Sequence, residues 1–226
     1  MAAEKLSFDV DQRQVSGLLL APPRARLGYV LAHGAGAGMT HAFLDSLAAD
    51  LAERDVATLR YNFPYMEAGG KRPDVPKLAH ATVRAAVAEA VRRLPGLPLV
   101  AGGKSFGGRM TSQAQASAPL AGVRGLAFVG FPLHPPGAPA DTRGEHLSDV
   151  KIPMLFLQGT RDELADLGLL QPLVARLGAR ASLRLWDDAD HSFHVPAKSK
   201  TGKKDPQVRR ELCDALCAWA EENVIP

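Results

Sequence analysis

The 226-residue sequence lacks the long apolar runs and the strong charge excess that mark several specialised protein classes. No apolar run approaches the roughly 18 to 20 residues that are needed to span a bilayer, so we expect no membrane partner. The formal net charge is only +3, and the charges are spread along the chain, so we expect no nucleic-acid partner. The opening segment MAAEKLSFDVDQ has no apolar stretch after a basic start, so no secretory signal is expected.

Cysteine is almost absent from the chain. Only Cys213 and Cys217 occur, four apart in sequence on one face of a predicted helix. A disulfide framework uses more cysteines at longer spacings, so we expect two reduced, partly buried thiols in a cytoplasmic protein. Two thiols alone also make a poor metal site, and none of the seven histidines lies near them in sequence.

Strand and helix patterns alternate along most of the chain. Apolar segments predict strands at residues 6–10, 15–21, 28–32, 56–61, 97–101, 123–131, 154–157 and 182–186. Helical spacing is seen at residues 43–53 and 83–94 and after residue 106, and Asp205 and Pro206 are suited to begin a last helix. This alternation predicts one α/β domain over residues 1–226, with a mostly parallel sheet and helices on both faces. In such a sheet, chemistry is expected at the carboxyl ends of the strands.

Residues 103–107, GKSFG, match the G-x-S-x-G pattern between a predicted strand and a predicted helix. The pattern is typical of a sharp, strained turn that lifts a serine hydroxyl out of the backbone. Its two glycines leave room for neighbouring elements to pass close by. Ser105 is therefore the candidate nucleophile, and the alternative is a glycine turn with a purely structural role.

A serine hydroxyl is a poor nucleophile at neutral pH and needs a base within hydrogen-bond distance. In the chain order serine, acid, histidine, the base follows the last strand, which favours His191 and leaves His194 as a competitor. Asp162, just past the strand at 154–157, is the candidate acid that holds the imidazole in one tautomer. The competing acids are Asp166, Asp187, Asp188 and Asp190.

Acyl transfer also requires backbone N–H donors for the oxygen that becomes negative. One donor is predicted at Phe106, directly after the candidate nucleophile. The other is predicted at Ala35, because the loop after the strand at 28–32 reads HGAGAG and resembles the HGG-type loop of esterases. The alternative for this loop is a turn that is simply rich in small residues.

Four motifs, HGAGAG, GGKSFGG, QGTRDE and DADHSFH, occur in this order and resemble those of the α/β-hydrolase superfamily. They are most similar to its small dienelactone-hydrolase-like branch and to the Tex/KANL-type proteins within it, over about residues 15 to 223. The resemblance implies an eight-stranded sheet core and a triad of Ser105, Asp162 and His191. One departure is that dienelactone hydrolases proper have a cysteine nucleophile where this chain has serine.

Three further residues are candidates for lining a substrate cavity: His41, Tyr65 and His134. Each has a structural alternative, because His134 lies in the proline-rich segment FPLHPPG and the other two are equally suited to packing. The lysine-rich segment KSKTGKK is expected to be a solvated loop rather than an anion-binding surface. Four prolines interrupt the stretch between residues 131 and 152, so we expect no substantial cap domain and an open cleft.

Together these residues predict a serine hydrolase that cleaves a small ester, thioester or related acyl compound through an acyl-enzyme, with no metal or organic cofactor. A non-catalytic interaction protein that retains the fold is the alternative from another class. Dinucleotide binding at GAGAG is disfavoured, because the G-x-G-x-x-G spacing fails and the next strand ends without an acidic residue for a ribose. The acyl group, the leaving group and the oligomeric state stay open.

Overall fold

The computed structural model describes residues 2–226 and contains one eight-stranded sheet with helices on both faces. The strands are β1 (Glu4–Val10), β2 (Arg13–Leu20), β3 (Leu27–Ala32), β4 (Val56–Tyr61), β5 (Leu99–Lys104), β6 (Val123–Val129), β7 (Met154–Gly159) and β8 (Ala181–Trp186). The helices are α1 (Ala42–Ala52), α2 (Pro64–Glu67), α3 (Pro76–Arg93), α4 (Phe106–Ser117), α5 (Leu167–Leu177) and α6 (Asp205–Asn223). Two 3₁₀ helices cover Thr142–Asp149 and Gly178–Arg180.

The spatial order of the strands is β1-β2-β4-β3-β5-β6-β7-β8. The first two pairings, β1 with β2 and β2 with β4, are antiparallel, and all the later pairings are parallel. The expectation of a mostly parallel sheet is therefore confirmed. Because β3, β5, β7 and β8 run in the same direction, the loops after them meet at one edge of the sheet.

The core has two layers, one on each face of the sheet. Successive strand residues point to opposite faces, so that Val30 packs into the first layer and Leu31 into the second. Helices α3, α4 and α5 cover the first layer, and α1 and α6 cover the second. Both faces of the central strands are thus buried, which is why these strands appear in the sequence as nearly continuous apolar runs.

Every predicted strand is present, with ends that differ by a few residues. The sequence reading did not predict α5, and it treated the segment that contains α2 as a loop. Asp205 is also not the N-cap of α6: Lys204 occupies that position, and the Asp205 carboxylate accepts a hydrogen bond from the Val195 N–H at 3.1 Å instead. The side chain expected to begin the helix therefore fastens the preceding loop to its first turn.

The segment between β6 and β7 carries only the 3₁₀ helix Thr142–Asp149, and no separate cap domain is present within the described residues. The edge of the sheet where the strands end is therefore covered by loops, the four-residue helix α2 and this 3₁₀ helix. Within residues 2–226, no helix is long and apolar enough to cross a membrane. The two thiols are free, with Cys213 buried and Cys217 half-buried, in agreement with the expectation from their spacing.

Candidate active site

Ser105 lies at the turn between β5 and α4 with φ of 51° and ψ of −117°, a backbone conformation that a serine rarely adopts. The glycines on either side explain how the turn fits. A Cβ at Gly103 would come within 2.2 Å of the Ala32 carbonyl oxygen, and one at Gly107 within 2.6 Å of the His33 carbonyl oxygen. Both contacts are with backbone, which has no freedom to withdraw. The G-x-S-x-G pattern is therefore required by the close approach of β3.

A chain of hydrogen bonds leads from Ser105 into the protein. His191 Nε2 is 2.8 Å from Ser105 Oγ, and His191 Nδ1 is 2.7 Å from Asp162 Oδ2. The carboxylate of Asp162 is fully buried, whereas the His191 side chain is partly exposed. The three residues predicted from the sequence are thus brought together in the order that the chemistry of a serine nucleophile requires.

The carboxylate of Asp162 is held by groups that the sequence reading did not single out. Its Oδ1 accepts the Leu164 N–H at 2.8 Å, and its Oδ2 accepts a hydrogen bond from the Gln158 amide. The Gln158 amide oxygen in turn accepts the Phe131 N–H at 2.9 Å. Buried polar groups need such partners, and here the partners fix the direction in which Asp162 faces His191.

The competing residues have other partners. His194 is exposed and bonds to Asp205 at 2.8 Å. Asp166 caps α5 by accepting the Gly168 N–H at 2.7 Å, and Asp190 accepts the Ser192 N–H at 2.7 Å within its own loop. Asp188 accepts from the Ser199 hydroxyl at 2.7 Å. In the described part of the chain, none of these four side chains makes a hydrogen bond or an ion pair with His191.

Lys104, the residue before the candidate nucleophile, is a second feature that the sequence reading missed. Its ammonium donates to the His191 carbonyl oxygen at 2.6 Å and lies 5.8 Å from the centre of the Phe193 ring. Burial lowers the pKa of Lys104 to about 8, while the charges of Asp162 and Asp190 oppose that shift. The bond ties the loop after β8 to the end of β5. In the sequence, the signal for this role of Lys104 is the position of a lysine at the end of an apolar strand.

His33 and Tyr65 hold the HGAGAG loop after β3. The fully buried His33 ring accepts the Phe63 N–H on Nε2 at 3.0 Å, so its proton lies on Nδ1, which donates to the Gly34 carbonyl oxygen at 2.7 Å. Burial lowers the pKa of His33 to about 4 and keeps the ring neutral. Tyr65 donates its hydroxyl proton to the Ala35 carbonyl oxygen at 2.7 Å. The backbone around Ala35 is thereby held from two sides.

The two backbone N–H groups predicted as oxyanion donors have no backbone acceptor within residues 2–226. Phe106 is the first residue of α4, where helical N–H groups lack an intrahelical partner and the helix dipole is positive. Ala35 lies beside Ser105 and lines the same cavities. Both N–H groups are therefore available to a bound oxygen.

Ser105 lies between two cavities. The first, of about 370 Å³, is lined by the HGAGAG loop together with His41, Phe43 and His191. The second, of about 430 Å³, lies on the side of α4 and of the proline-rich loop after β6. His41 thus lines a cavity next to the serine, as predicted.

Tyr65 and His134 do not line either cavity. The Tyr65 ring packs on Phe106, and its hydroxyl donates to the Ala35 carbonyl oxygen in the HGAGAG loop. His134 is buried, with Nδ1 2.9 Å from the Pro135 carbonyl oxygen, and its Nε2 accepts the Asp166 N–H at 2.8 Å. Both candidates from the sequence are therefore structural residues that shape loops. Among residues 2–226, no group of three or more histidine, cysteine or acidic side chains is arranged to hold a metal ion.

An eight-stranded sheet of this topology, with a serine at a strained strand-to-helix turn and a histidine bonded to it, defines the α/β-hydrolase class. The family model described as an alpha/beta hydrolase domain matches residues 25–221, so this chain belongs to the α/β-hydrolase family.

Solved structures of the same fold are similar over nearly the full length of the chain. One is an α/β serine hydrolase homologue from Coxiella burnetii, with 18% identity, a TM-score of 0.76 and coverage of 96% of this chain and 98% of that one. A dienelactone hydrolase from Anabaena variabilis has 19% identity, a TM-score of 0.76 and coverage of 99% and 100%. A serine hydrolase without a lid from Xanthomonas campestris has 20% identity, a TM-score of 0.74 and coverage of 97% and 95%. At these identities the likeness concerns the fold.

Proposed function

We propose that the protein is a serine hydrolase that cleaves a small ester, thioester or related acyl compound through an acyl-enzyme on Ser105. The observation that carries this proposal is the hydrogen-bond chain from Ser105 through His191 to Asp162, which begins at a strained turn beside a cavity. Membership of the α/β-hydrolase family supports the coarser assignment to a hydrolase.

In the first half of the reaction, Ser105 Oγ attacks the substrate carbonyl carbon and His191 Nε2 takes the hydroxyl proton. Asp162 stabilises the imidazolium that forms, and its two backing hydrogen bonds keep it in position while the charge develops. The carbonyl oxygen becomes negative and accepts hydrogen bonds from the Ala35 and Phe106 N–H groups. Collapse of this intermediate breaks the bond to the leaving group, which receives the proton from His191.

In the second half, a water molecule takes the place of the leaving group and gives a proton to His191 Nε2 as it attacks the acyl carbon. The same two N–H groups stabilise the second oxyanion. The acid product then leaves, and Ser105 regains its proton. Each proton taken by His191 is returned, so the cycle consumes only substrate and water.

Labelling with a fluorophosphonate probe tests the proposal directly, because such a probe reacts with an activated serine and hardly with an ordinary one. We expect stoichiometric labelling of Ser105 alone. Ser105→Ala should abolish the labelling and lower turnover by about 10³-fold or more, since the three residues act as a unit.

Ser112 offers a matched control within the same helix. Its hydroxyl lies 2.7 Å from His146 Nε2, so it is a second serine–histidine pair, but it lies in the helix interior and is buried. Ser112→Ala should keep full labelling. If the wild-type protein remained unlabelled under conditions in which it is folded, the proposal would fail and a non-catalytic role for this fold would be favoured.

A further inference from the structure

The second cavity beside Ser105 is lined by two arginines. Arg109 comes from the first turns of α4, and Arg143 comes from the 3₁₀ helix Thr142–Asp149 across the cavity. Both side chains are half-buried, and the cavity between them opens toward Ser105 and Ala35. Two arginines therefore line the space that adjoins the candidate nucleophile.

Neither arginine has an acidic partner. Within residues 2–226, no ion pair and no side-chain hydrogen bond is made by Arg109 or Arg143, and Arg109 Nε is buried without any acceptor. The other half-buried arginines all have an acceptor, since Arg84 and Arg180 donate to backbone carbonyl oxygens and the rest pair with acids. Arg54 pairs with Asp214 at 2.6 Å, and Arg209 pairs with Asp50 at 2.6 Å. A buried guanidinium N–H that lacks an acceptor is costly, and neither Arg109 nor Arg143 has a counter-ion, so this pair of arginines is suited to an anion.

The groups around the cavity do not meet that requirement. Asp74 is the acidic residue of the cavity wall, and its carboxylate already accepts the Tyr65 N–H at 3.1 Å. Burial and the neighbouring Arg143 both lower the pKa of Arg109. Burial, and then the charge of Arg109, lower the pKa of the adjacent His146 to about 4, so that this ring is neutral. The cavity wall therefore carries two arginines and one acid, and that acid forms no ion pair with either arginine.

We infer that this cavity is an anion subsite in which Arg109 and Arg143 bind a carboxylate carried by the ester substrate. The inference rests on the proposed function, and it adds the class of substrate: an ester with a carboxylate on one side of the scissile bond. Guanidinium groups match the two oxygens of a carboxylate in geometry and in charge. The first cavity, lined by Phe43 and Leu44, then takes the uncharged side of the substrate.

Two pairs of substrates test this inference and tell the two sides of the bond apart. In the first pair the acyl side is varied, with mono-p-nitrophenyl adipate against its methyl ester. In the second pair the leaving group is varied, with 3-carboxyphenyl butyrate against 3-(methoxycarbonyl)phenyl butyrate. Phenol release is measured and spontaneous hydrolysis is subtracted. We expect kcat/KM to favour the carboxylate by about 10-fold or more in one pair, as for other hydrogen bonds to charged groups. A preference in neither pair would overturn the inference.

Substitutions assign the preference to the arginines. Arg109→Gln and Arg143→Gln should each bring the ratio of kcat/KM for the charged over the neutral substrate close to one, and Arg109→Lys should keep part of it. The matched control is Arg124→Gln, on the exposed side of β6, which should keep the full ratio. Folding of each variant is checked by its melting temperature. A ratio that stayed at the wild-type value in both glutamine variants would contradict the assignment.

A binding measurement separates this inference from the proposed function. Monomethyl adipate and dimethyl adipate are titrated by calorimetry into the Ser105→Ala variant, alone and combined with Arg109→Gln. Tighter binding of the monoanion that is lost with Arg109 supports the subsite, even if wild-type Ser105 proved unreactive and the hydrolase proposal failed. Equal binding of the two esters, together with no preference in the leaving-group pair and normal hydrolysis of neutral esters, would overturn the subsite and leave the hydrolase proposal standing.

Discussion

Acidification should destabilise this fold through His33, the buried imidazole in the loop after β3. The pKa of an unfolded histidine is about 6.5, whereas that of folded His33 is lowered to about 4 by burial. Between these two values the unfolded chain binds a proton that the folded chain does not. The free energy of unfolding therefore falls as the pH falls from 6.5 toward 4, and the full contribution of neutral His33 is retained above pH 6.5. At pH 4.5 the loss from this one residue is about 2 to 3 kcal/mol.

The measurement is urea unfolding of wild type and His33→Gln at several pH values from about 4.5 to 7.5, followed by tryptophan fluorescence. The variant loses hydrogen bonds and so starts less stable at pH 7.5, by about 1 kcal/mol. The informative quantity is the further loss of unfolding free energy on acidification, which should be about 2 to 3 kcal/mol smaller in the variant. His146 acts in the same direction in both proteins, so its contribution cancels in this comparison.

His194 provides a control of opposite sign. Its hydrogen bond to Asp205 raises the pKa of this exposed histidine, so its contribution to stability is present below about pH 6.5 and is lost as the pH rises through the raised pKa. His194→Gln should therefore lose more stability on acidification than wild type does. Equal losses in wild type and His33→Gln would refute the reasoning about the buried ring.

Three further predictions follow from the site. Asp162→Asn should lower kcat by a factor on the order of 10⁴, as in the serine-protease case. Asp166→Asn should leave kcat unchanged, because asparagine caps α5 equally well. Steady-state kinetics on the folded variants measure both values, and the reverse ranking would reassign the acid to Asp166. Tyr65→Phe removes the hydrogen bond to the Ala35 carbonyl oxygen, so it should lower the free energy of unfolding by about 1 kcal/mol. It should also lower kcat more than it changes KM. An unchanged kcat would show that this hydrogen bond does not position the HGAGAG loop. In a p-nitrophenyl ester series, kcat/KM should peak near two to four acyl carbons. The reason is that each methylene in an open cleft stays largely in water and gains little of the ~0.8 kcal/mol that full burial gives. A steady rise of kcat/KM to twelve carbons would show a deep acyl pocket instead.

The strands were predictable because buried parallel strands form continuous apolar runs, of which β7 (MLFLQG) is an example. Helix α5 was not, because Pro172 lies inside it and proline normally ends a helical pattern. Helix α2 has only four residues in a proline-rich and glycine-rich loop, too short for helical periodicity to show. Local patterns therefore predicted the elements with an uninterrupted apolar period, and missed one helix that contains a proline and one that is too short.

The residues of the candidate site likewise differ in whether the sequence could predict them. Ser105 and His191 could be predicted because the motif and the chain order constrain them. For His134 the sequence left both a lining and a loop-shaping role open, because the Asp166 N–H that it accepts lies 32 residues away and no local pattern indicates that contact. For the same reason, no local pattern indicated that Arg109 and Arg143 line one cavity. The cytoplasmic location and the choice of partners stay predictions.

Ser105 follows the interior strand β5, whereas His191 follows the edge strand β8, 86 residues later. The serine cannot gain its base until β8 has paired with β7, which is a parallel pairing and therefore a long-range one in sequence. The proposed nucleophilic reactivity of Ser105 is thus a property of the completed sheet. Chain segments that have formed only β1 to β6 would carry the full serine motif and yet be chemically inert, so a nascent or partly folded chain would be protected from acylating compounds until its last strand is in place.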